Sequence, residues 1–206
     1  MTDRYHHGDL PNALRSAAVD VITEQGLGHF SLREVARRAG VSHTAPAHHF
    51  GDVQGLLTSL ATQGFDTLYD VTTTAIAGET DPAERLTVMG QAYVSLATEY
   101  PAHCQVMFRT DVVDTDDADL SVAGMRAYGV LHGVVAELIE SEGLDADPDV
   151  ASELCWATMQ GLVVLGPKLE LIEARTGRPP STVADRVRRL TDLMLDGIRH
   201  SPAQHA

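Results

Sequence analysis

Residues 31–50, SLREVARRAGVSHTAPAHHF, constrain the fold of this chain more than any other segment. Ser31 and Glu34 have the spacing of a capping box, in which the serine accepts from a backbone N–H and the glutamate reaches back to the cap residue. Gly40 stands where the helix must end in a left-handed conformation, which glycine adopts at little cost. The pattern therefore predicts a short helix that begins after Ser31 and ends at Gly40.

A second short helix is predicted directly after this turn. Ser42 is a residue type that caps helices, so we expect the next helix to begin there and to cover residues 42–49. Two helices joined by so short a turn are the means by which helix-turn-helix proteins place a recognition helix in the major groove of DNA. The segment predicts a DNA-binding regulator; the alternative is an ordinary solvated surface.

The rest of the chain also has a helical pattern. Apolar residues recur at three- and four-residue spacing, and no segment alternates with the period of a strand. Glycine and proline punctuate the pattern at Gly26, Asp81-Pro82, Tyr100-Pro101, Asp147-Pro148 and Thr176–Pro180. We predict an all-α fold of about nine helices, with a three-helix helix-turn-helix domain over residues 1–52 and a larger helical domain over residues 53–206.

The charge is distributed unevenly along the chain. The net charge is −14, but residues 1–60 hold five arginines and six acidic residues, so almost all of the negative charge lies beyond them. Acidic groups placed away from a DNA-reading segment repel phosphate and discourage non-specific contact. The asymmetry is typical of a molecule in two parts.

Two features predict a cytoplasmic protein that is not embedded in a membrane. The N-terminus, MTDRYHHGDL, lacks the apolar core of a secretory signal, and no apolar run approaches the roughly 20 residues of a membrane helix. Cys104 and Cys155 lie within helical patterns, so we expect two buried, reduced thiols and no disulfide.

The N-terminal segment HHGDL…SLREVARRAGVS…HHF…LL resembles the TetR family of bacterial transcriptional repressors over about residues 8–60. The serine cap, the arginine-rich helix, the AGVS turn and the terminal HF all occur in register. Further along, CWATMQG (155–161) is similar to the Trp-His-Gly segment of one TetR subgroup, with Gln160 where histidine is usual. The resemblance implies that residues 53–206 form a ligand-binding and dimerisation domain.

The resemblance also implies a function and its partners. It implies a homodimer that binds a near-palindromic operator in double-stranded DNA, with repression as the expected role. It further implies release by a small, largely apolar effector, which acts only to the extent that it binds the DNA-free conformation more tightly. No cofactor is implied.

The two predicted helices and the turn between them (31–50), here called the reading head, hold the candidates for DNA contact. The hydroxyl of Thr44 can meet base edges, the two arginines of the first helix are candidates for the DNA backbone, and the resemblance assigns a phosphate to His49. Phe50 is expected to anchor the second helix in the core. The complete candidate set is Arg33, Arg37, Ser42, His43, Thr44, Ala45, Ala47, His48 and His49.

Two positions depart from the family. Ala47 stands where tyrosine is usual and Val53 where lysine is common, and both of those family residues hold phosphates. Their loss implies weaker binding, unless His6, His7, Arg4 and Arg33 compensate. It also supports an alternative function, a ligand-binding or interaction module with weak or lost DNA binding.

A ligand pocket in this class of protein is lined by aromatic side chains and methionines, although such residues at helical spacing also serve simply as core. The candidate pocket residues are Tyr69, Met89, Tyr93, Met107, Phe108, Met125, Tyr128, His132, Trp156, Met159 and Gln160. The last two apolar helices could close within the monomer or pair across a two-fold axis. The candidate dimer residues are Val163, Val164, Leu190, Leu193 and Met194.

The sequence supports a metal site or an enzyme less well than it supports a DNA-binding regulator. The adjacent histidines His6-His7 and His48-His49 diverge in direction on a helix, and no HExxH or Cys/His cluster accompanies them. The acidic stretches 111–119 and 145–149 lack the glycine and glutamate register of an EF-hand. The chain also lacks the nucleophile elbow, Walker loop and dinucleotide fingerprint of common enzymes. We therefore predict no metal site and no catalytic residues.

Overall fold

The structure is a computed structural model that describes residues 9–200. Over this range it is entirely helical, with nine α-helices, one short 3-10 helix (Leu27–His29) and no strand. The α-helices are α1 (Leu10–Gln25), α2 (Leu32–Ala39), α3 (Ala45–Phe50), α4 (Val53–Ile76), α5 (Pro82–Glu99), α6 (Pro101–Met107), α7 (Ala118–Glu142), α8 (Pro148–Thr176) and α9 (Val183–Arg199). The predicted all-α fold is confirmed.

Local capping determines where most of these helices begin. Proline occupies the first position of α5, α6 and α8, where its missing N–H removes no helical hydrogen bond. The carboxylate of Asp147 accepts from the backbone N–H of Asp149 at 2.8 Å and so caps α8. Thr182 and Asp185 form a reciprocal capping box at the start of α9. These signals act over a few residues and could therefore be recognised in the sequence.

The chain forms two compact units, which are described separately. Of the residues that the structure describes, the first unit contains those up to Asp66 together with Tyr100–Gly124, and the second contains Thr67–Glu99 together with those from Met125 onward. Helices α4 and α7 each contribute residues to both units. The expected domain boundary at residue 52 remains a prediction.

Each unit has its own apolar core. In the first, Leu14, Val21 and Ile22 of α1 are buried with Val35 of α2, and Leu56 and Leu60 of α4 complete the group. The core of the second unit draws on α5, α7, α8 and α9; its members include Leu86, Met89, Val134, Val135, Leu138, Cys155, Met159, Val187, Met194, Leu195 and Ile198. The recognition motif is thus supported by α1 and the first half of α4.

Helix α7 has the length and apolar composition that could cross a membrane, and it is the one such helix within residues 9–200. A single helix of this kind is weak evidence, because core helices of soluble proteins pass the same test. Val134, Val135 and Leu138 of α7 are buried in the core of the second unit. One side of the helix therefore belongs to that core.

Candidate nucleic-acid interface and effector site

Only half of the predicted capping box forms at the start of α2. The hydroxyl of Ser31 accepts from the backbone N–H of Glu34 at 3.3 Å, as predicted. The carboxylate of Glu34 accepts from the guanidinium of Arg37 at 2.7 and 2.8 Å and from Nε of Arg38 at 3.0 Å. These charged hydrogen bonds lower the pKa of Glu34 to about 2. The carboxylate of Glu34 therefore accepts from the two arginines and not from the backbone N–H of Ser31, because charged donors form stronger hydrogen bonds than a neutral N–H.

The turn between α2 and α3 has the predicted left-handed glycine but not the predicted cap. Gly40 has φ 67° and ψ 29°. The recognition helix begins at Ala45, and Ser42 was wrongly expected to cap it: its hydroxyl lies 3.0 Å from that of Thr44, and its backbone carbonyl accepts from the N–H of Ala45. Pro46, at the second helical position, is buried. The segment 42–44 is thus a turn that leads into a helix shorter than expected.

The side chains around this turn are largely exposed. Ser42, His43 and Thr44 in the turn are exposed, as are Ala47, His48 and His49 in α3, whereas Ala45 is half-buried. Arg33 and Arg37 of α2 line one open surface groove together with His43. The structure therefore brings the two arginines and the turn to a common surface. Arg4, His6 and His7 lie outside the described residues.

The C-terminal end of α3 is fixed by contacts of Phe50, Asp52 and Gly55, of which only the contact of Phe50 was predicted. Phe50 packs against the core of the first unit, as predicted, and the guanidinium of Arg15 lies 5.8 Å from its ring centroid. Asp52 accepts from the backbone N–H of Gly55 at 2.9 Å. A Cβ atom on Gly55 would lie 2.0 Å from the backbone oxygen of Phe50, so no larger residue fits without a shift of α3 or α4. The sequence signals this close approach of Phe50 to Gly55 only by a glycine that shortly follows the capping Asp52.

In the second unit, several candidate pocket residues meet between α5, α7 and α8. The hydroxyl of Tyr93 donates to the side-chain oxygen of Gln160. The ring of Tyr128 lies 5.8 Å from that of Trp156 and 6.1 Å from that of His132, measured between centroids. All five of these side chains are half-buried. The arrangement combines aromatic faces with hydroxyl, amide and imidazole groups that can hydrogen-bond.

The other candidate pocket residues lie elsewhere. Met89 and Met159 are buried in the core of the second unit, and the ring of Tyr69 lies beneath the guanidinium of Arg126 at 4.3 Å. Met107 is buried in the first unit, where Phe108 packs edge-on against Phe65. Met125 is 65% exposed on α7. Of these six candidates, two methionines thus lie in the core of the second unit, Met107 is buried in the first unit and Met125 is at the surface. Tyr69 and Phe108 are half-buried in separate ring contacts.

Comparison with known proteins identifies the family. The model described as "Bacterial regulatory proteins, tetR family" matches residues 14–60, and that described as "Tetracyclin repressor-like, C-terminal domain" matches residues 86–194. The chain belongs to the TetR family. It is a ligand-responsive transcriptional regulator. Regulators of this family are typically soluble, non-enzymatic proteins that bind DNA, dimerise and respond to small molecules.

Solved structures support the same fold over nearly the whole chain. A Rhodococcus sp. RHA1 protein of unknown function is 28% identical, with a TM-score of 0.75 over 97% of this chain and 100% of its own. The fatty acid degradation regulator FadR of Bacillus halodurans is 18% identical, with a TM-score of 0.71 over 92% and 96%. PfmR of Thermus thermophilus is 19% identical, with a TM-score of 0.68 over 90% and 98%. No curated protein matches the chain significantly.

In this TetR-family chain, the candidate dimer residues differ in their exposure. Val164 of α8 and Leu193 of α9 are 61% and 68% exposed. Val163 and Leu190 are half-buried against the core of the second unit, and Met194 is a buried member of that core. Further large apolar residues are exposed on α8; they are Val150, Leu154, Leu165, Leu171 and Ile172.

Within residues 9–200 of this regulator, no three histidine, cysteine or acidic side chains form a group that could hold a metal ion. The rings of His48 and His49 are 6.0 Å apart and nearly perpendicular. Cys104 is half-buried rather than buried as expected, whereas Cys155 is buried, and both cysteines are free. Burial raises the pKa of each thiol to about 11.

Proposed function

We propose that this TetR-family regulator is a cytoplasmic, homodimeric repressor that binds a near-palindromic operator, releases it on binding a small, largely apolar effector, and catalyses no reaction. The observation that carries the proposal is the exposed surface of the turn and α3, directly after the left-handed Gly40. Thr44, His48 and His49 are exposed there, while Phe50 anchors the helix in the core. A helix with Pro46 buried, Phe50 packed against the core and its other side exposed suits insertion into a major groove.

Contacts with the DNA backbone complete the proposed interface. Arg33 and Arg37 share a groove with His43, and arginine donors of this kind fix a protein's register on the duplex through phosphates. The hydroxyl pair of Ser42 and Thr44, 3.0 Å apart, offers donors and acceptors to base edges. The methyl groups of Ala45 and Ala47 can meet thymine methyls.

The exposed apolar residues of α8 and α9 support the proposed dimer. Val164 and Leu193 are mostly exposed, and five further large apolar residues of α8 are exposed as well. Large apolar side chains left exposed in such number on two helices are typical of an interaction site. A two-fold dimer would present two copies of α3 about one helical turn apart, as a near-palindromic operator requires.

The half-buried cluster around Tyr93, Gln160, Tyr128, Trp156 and His132 is the proposed effector site. Aromatic faces suit an apolar molecule, and the few polar groups can orient it. An effector with a hundredfold preference for the DNA-free conformation supplies about 2.7 kcal/mol of coupling. Helix α4 is the proposed transmitter, because its residues belong to both units.

The test is fluorescence anisotropy of the purified protein with duplexes from the intergenic DNA upstream of its own gene, across a salt series. We expect saturable binding to one site, far tighter than to a scrambled duplex and weakening steeply with salt. Equal, feeble binding to both duplexes, followed by failure to select any sequence from random duplexes, would contradict the proposal. A confirmed site then provides the assay for release by small molecules.

The exposed Ala47 and the 39% exposed Val53 support a second candidate, a ligand-binding module with the TetR fold and weak or lost DNA binding. Such a module would bind negligibly to every duplex at any salt concentration. The double variant Ala47→Tyr/Val53→Lys restores the two phosphate-binding residue types of the family. Binding that appears only in this variant would favour the module over the repressor.

A further inference from the structure

Four charged side chains form a continuous chain on the reading head. Glu24 of α1 accepts from Nη2 of Arg38 at 2.6 Å, and Arg38 in turn donates to Glu34. Glu34 also receives two hydrogen bonds from Arg37, through Nε at 2.8 Å and Nη2 at 2.7 Å. Two acids thus neutralise two of the arginines that give α2 its basic character.

The side chains of Arg37 and Arg38 differ in exposure, and therefore in whether they can contact DNA. The side chain of Arg38 is only 17% exposed and is held at both ends of its guanidinium. The side chain of Arg37 is 69% exposed and lines the groove with Arg33 and His43. Its fork already grips a carboxylate in the bidentate geometry with which arginine also grips a phosphate. Arg33 has no ion pair within the described part of the chain.

We propose that Glu34 is a specificity-determining residue, an internal mimic of phosphate that holds the Arg37 guanidinium until a correctly placed DNA phosphate displaces it. The inference rests on the proposed DNA binding of this surface. Any duplex can attract a free arginine, because phosphate contacts carry no sequence information. A paired arginine contributes only where the phosphate is positioned well enough to replace both carboxylate hydrogen bonds.

The negative charge of Glu34 remains after the exchange. A carboxylate beside the backbone repels phosphates that approach out of register, so loosely docked complexes are penalised more than a complex in which Arg37 is well seated. In the free protein the hydrogen bonds from Arg37 and Arg38 lower the pKa of Glu34 to about 2. Without Arg37, a glutamate near its ordinary pKa of about 4 is still ionised at the neutral pH at which DNA binding is measured. The expected result is lower affinity for non-specific DNA and a shallower salt dependence than the three arginines of α2 would produce without their acidic partners.

The experiment compares Glu34→Gln with Glu24→Gln on the full chain. Both substitutions remove one negative charge from the same network, but only Glu34 touches Arg37. The probe is a scrambled duplex, titrated from low to high salt, and thermal unfolding confirms that each variant is folded. We expect Glu34→Gln to tighten binding by about three- to fivefold per reading head and to steepen the salt slope by about one per head. Glu24→Gln should change neither by as much as about twofold.

A second pair of variants tests whether Glu34 affects DNA binding through Arg37. In the Arg37→Gln background, Glu34→Gln should keep only the part of its effect that comes from removing a repulsive charge, less than about twofold in affinity. Equal effects of Glu34→Gln and Glu24→Gln, or a Glu34→Gln effect as large without Arg37 as with it, would overturn the inference. If the parent binds no duplex even at low salt, the proposed function fails. Binding gained by Glu34→Gln through Arg37 would then still support this inference, and its absence would refute it.

Discussion

At the scale of single residues, Gly55 constrains the position of the recognition helix although it was not among the residues expected to touch DNA. Gly55 allows the backbone oxygen of Phe50 to approach where a side chain would otherwise stand. The contact involves backbone rather than a flexible side chain, so it cannot relax by rotamer change. The position of α3 relative to α4 depends on it.

Gly55→Ala should therefore lower the free energy of unfolding by about 1–3 kcal/mol, as overpacking does, and weaken operator binding by displacing α3. The matched control is Gly129→Ala on α7, where a Cβ would meet nothing within 4 Å. This control should stabilise the protein by about 0.5–1 kcal/mol, since alanine is the better helix former. Urea unfolding measures both variants, and equal effects would refute the steric explanation.

The two thiols should be unreactive in the folded protein. Their pKa of about 11 reduces the thiolate fraction at pH 8. The reduction is roughly a hundredfold relative to an ordinary cysteine, and the thiolate is the reactive form. Because the pKa is raised, the alkylation rate should climb about tenfold per pH unit as the pH approaches 11. The measurement is iodoacetamide labelling followed by mass spectrometry, with the urea-unfolded chain as the reference. A cysteine labelled equally fast in both states would contradict the prediction.

At the scale of helices, side-chain caps fix the N-terminal starts of α8 and α9, whereas the recognition helix has no such cap. Asp147 holds the start of α8, and Thr182 with Asp185 holds the start of α9. Thr44 precedes α3 without making a cap hydrogen bond. The short reading helix therefore depends on Pro46 and Phe50 for its position, because both contact the interior.

Asp147→Ala should destabilise the protein by about 1 kcal/mol, the usual contribution of a helix cap. For a chain of this length that corresponds to a fall in Tm of about 2–4 °C. The nearby Asp145→Ala removes the same charge, but Asp145 precedes the cap and makes no hydrogen bond to the start of α8. It should leave Tm within about 1 °C of the parent. Differential scanning calorimetry decides between a cap effect and a general charge effect, which would move both variants alike.

At the scale of the whole molecule, the exposed apolar residues of α8 and α9 are not explained by the core of a single chain. Val164 and Leu193 are exposed, while Met194 next to Leu193 is buried. A face of this kind is stable in water when a second copy covers it. The proposed operator reading depends on that second copy.

Leu193→Glu should therefore convert the dimer to a monomer and weaken operator binding by roughly a hundredfold or more, because each reading head then binds alone. Val122→Glu is the control, since Val122 is also 68% exposed but lies on α7. It should leave both mass and affinity unchanged. Light scattering coupled to size exclusion measures the mass, and a Leu193→Glu variant that remains dimeric would place the interface elsewhere.

The sequence by itself determined the helices and the family, because their signals act between near neighbours. The proline starts of α5 and α8, the left-handed Gly40 and the apolar periodicity could each be recognised within a few residues, and the structure bears them out. Phe50 as the anchor of α3 followed from the family resemblance and is also found. Local signals were misleading only where a charged or hydroxyl partner nearby was stronger, as at Glu34 and Ser42.

Only the tertiary structure decided which faces are free and which side chains meet. Periodicity marks the apolar residues of α9 but cannot say that Met194 is buried and Leu193 exposed, since that depends on where other helices pack. Nor could it pair Arg38 with Glu24 on another helix or set Tyr93 against Gln160. These contacts arise from packing between elements, which no short stretch of sequence encodes.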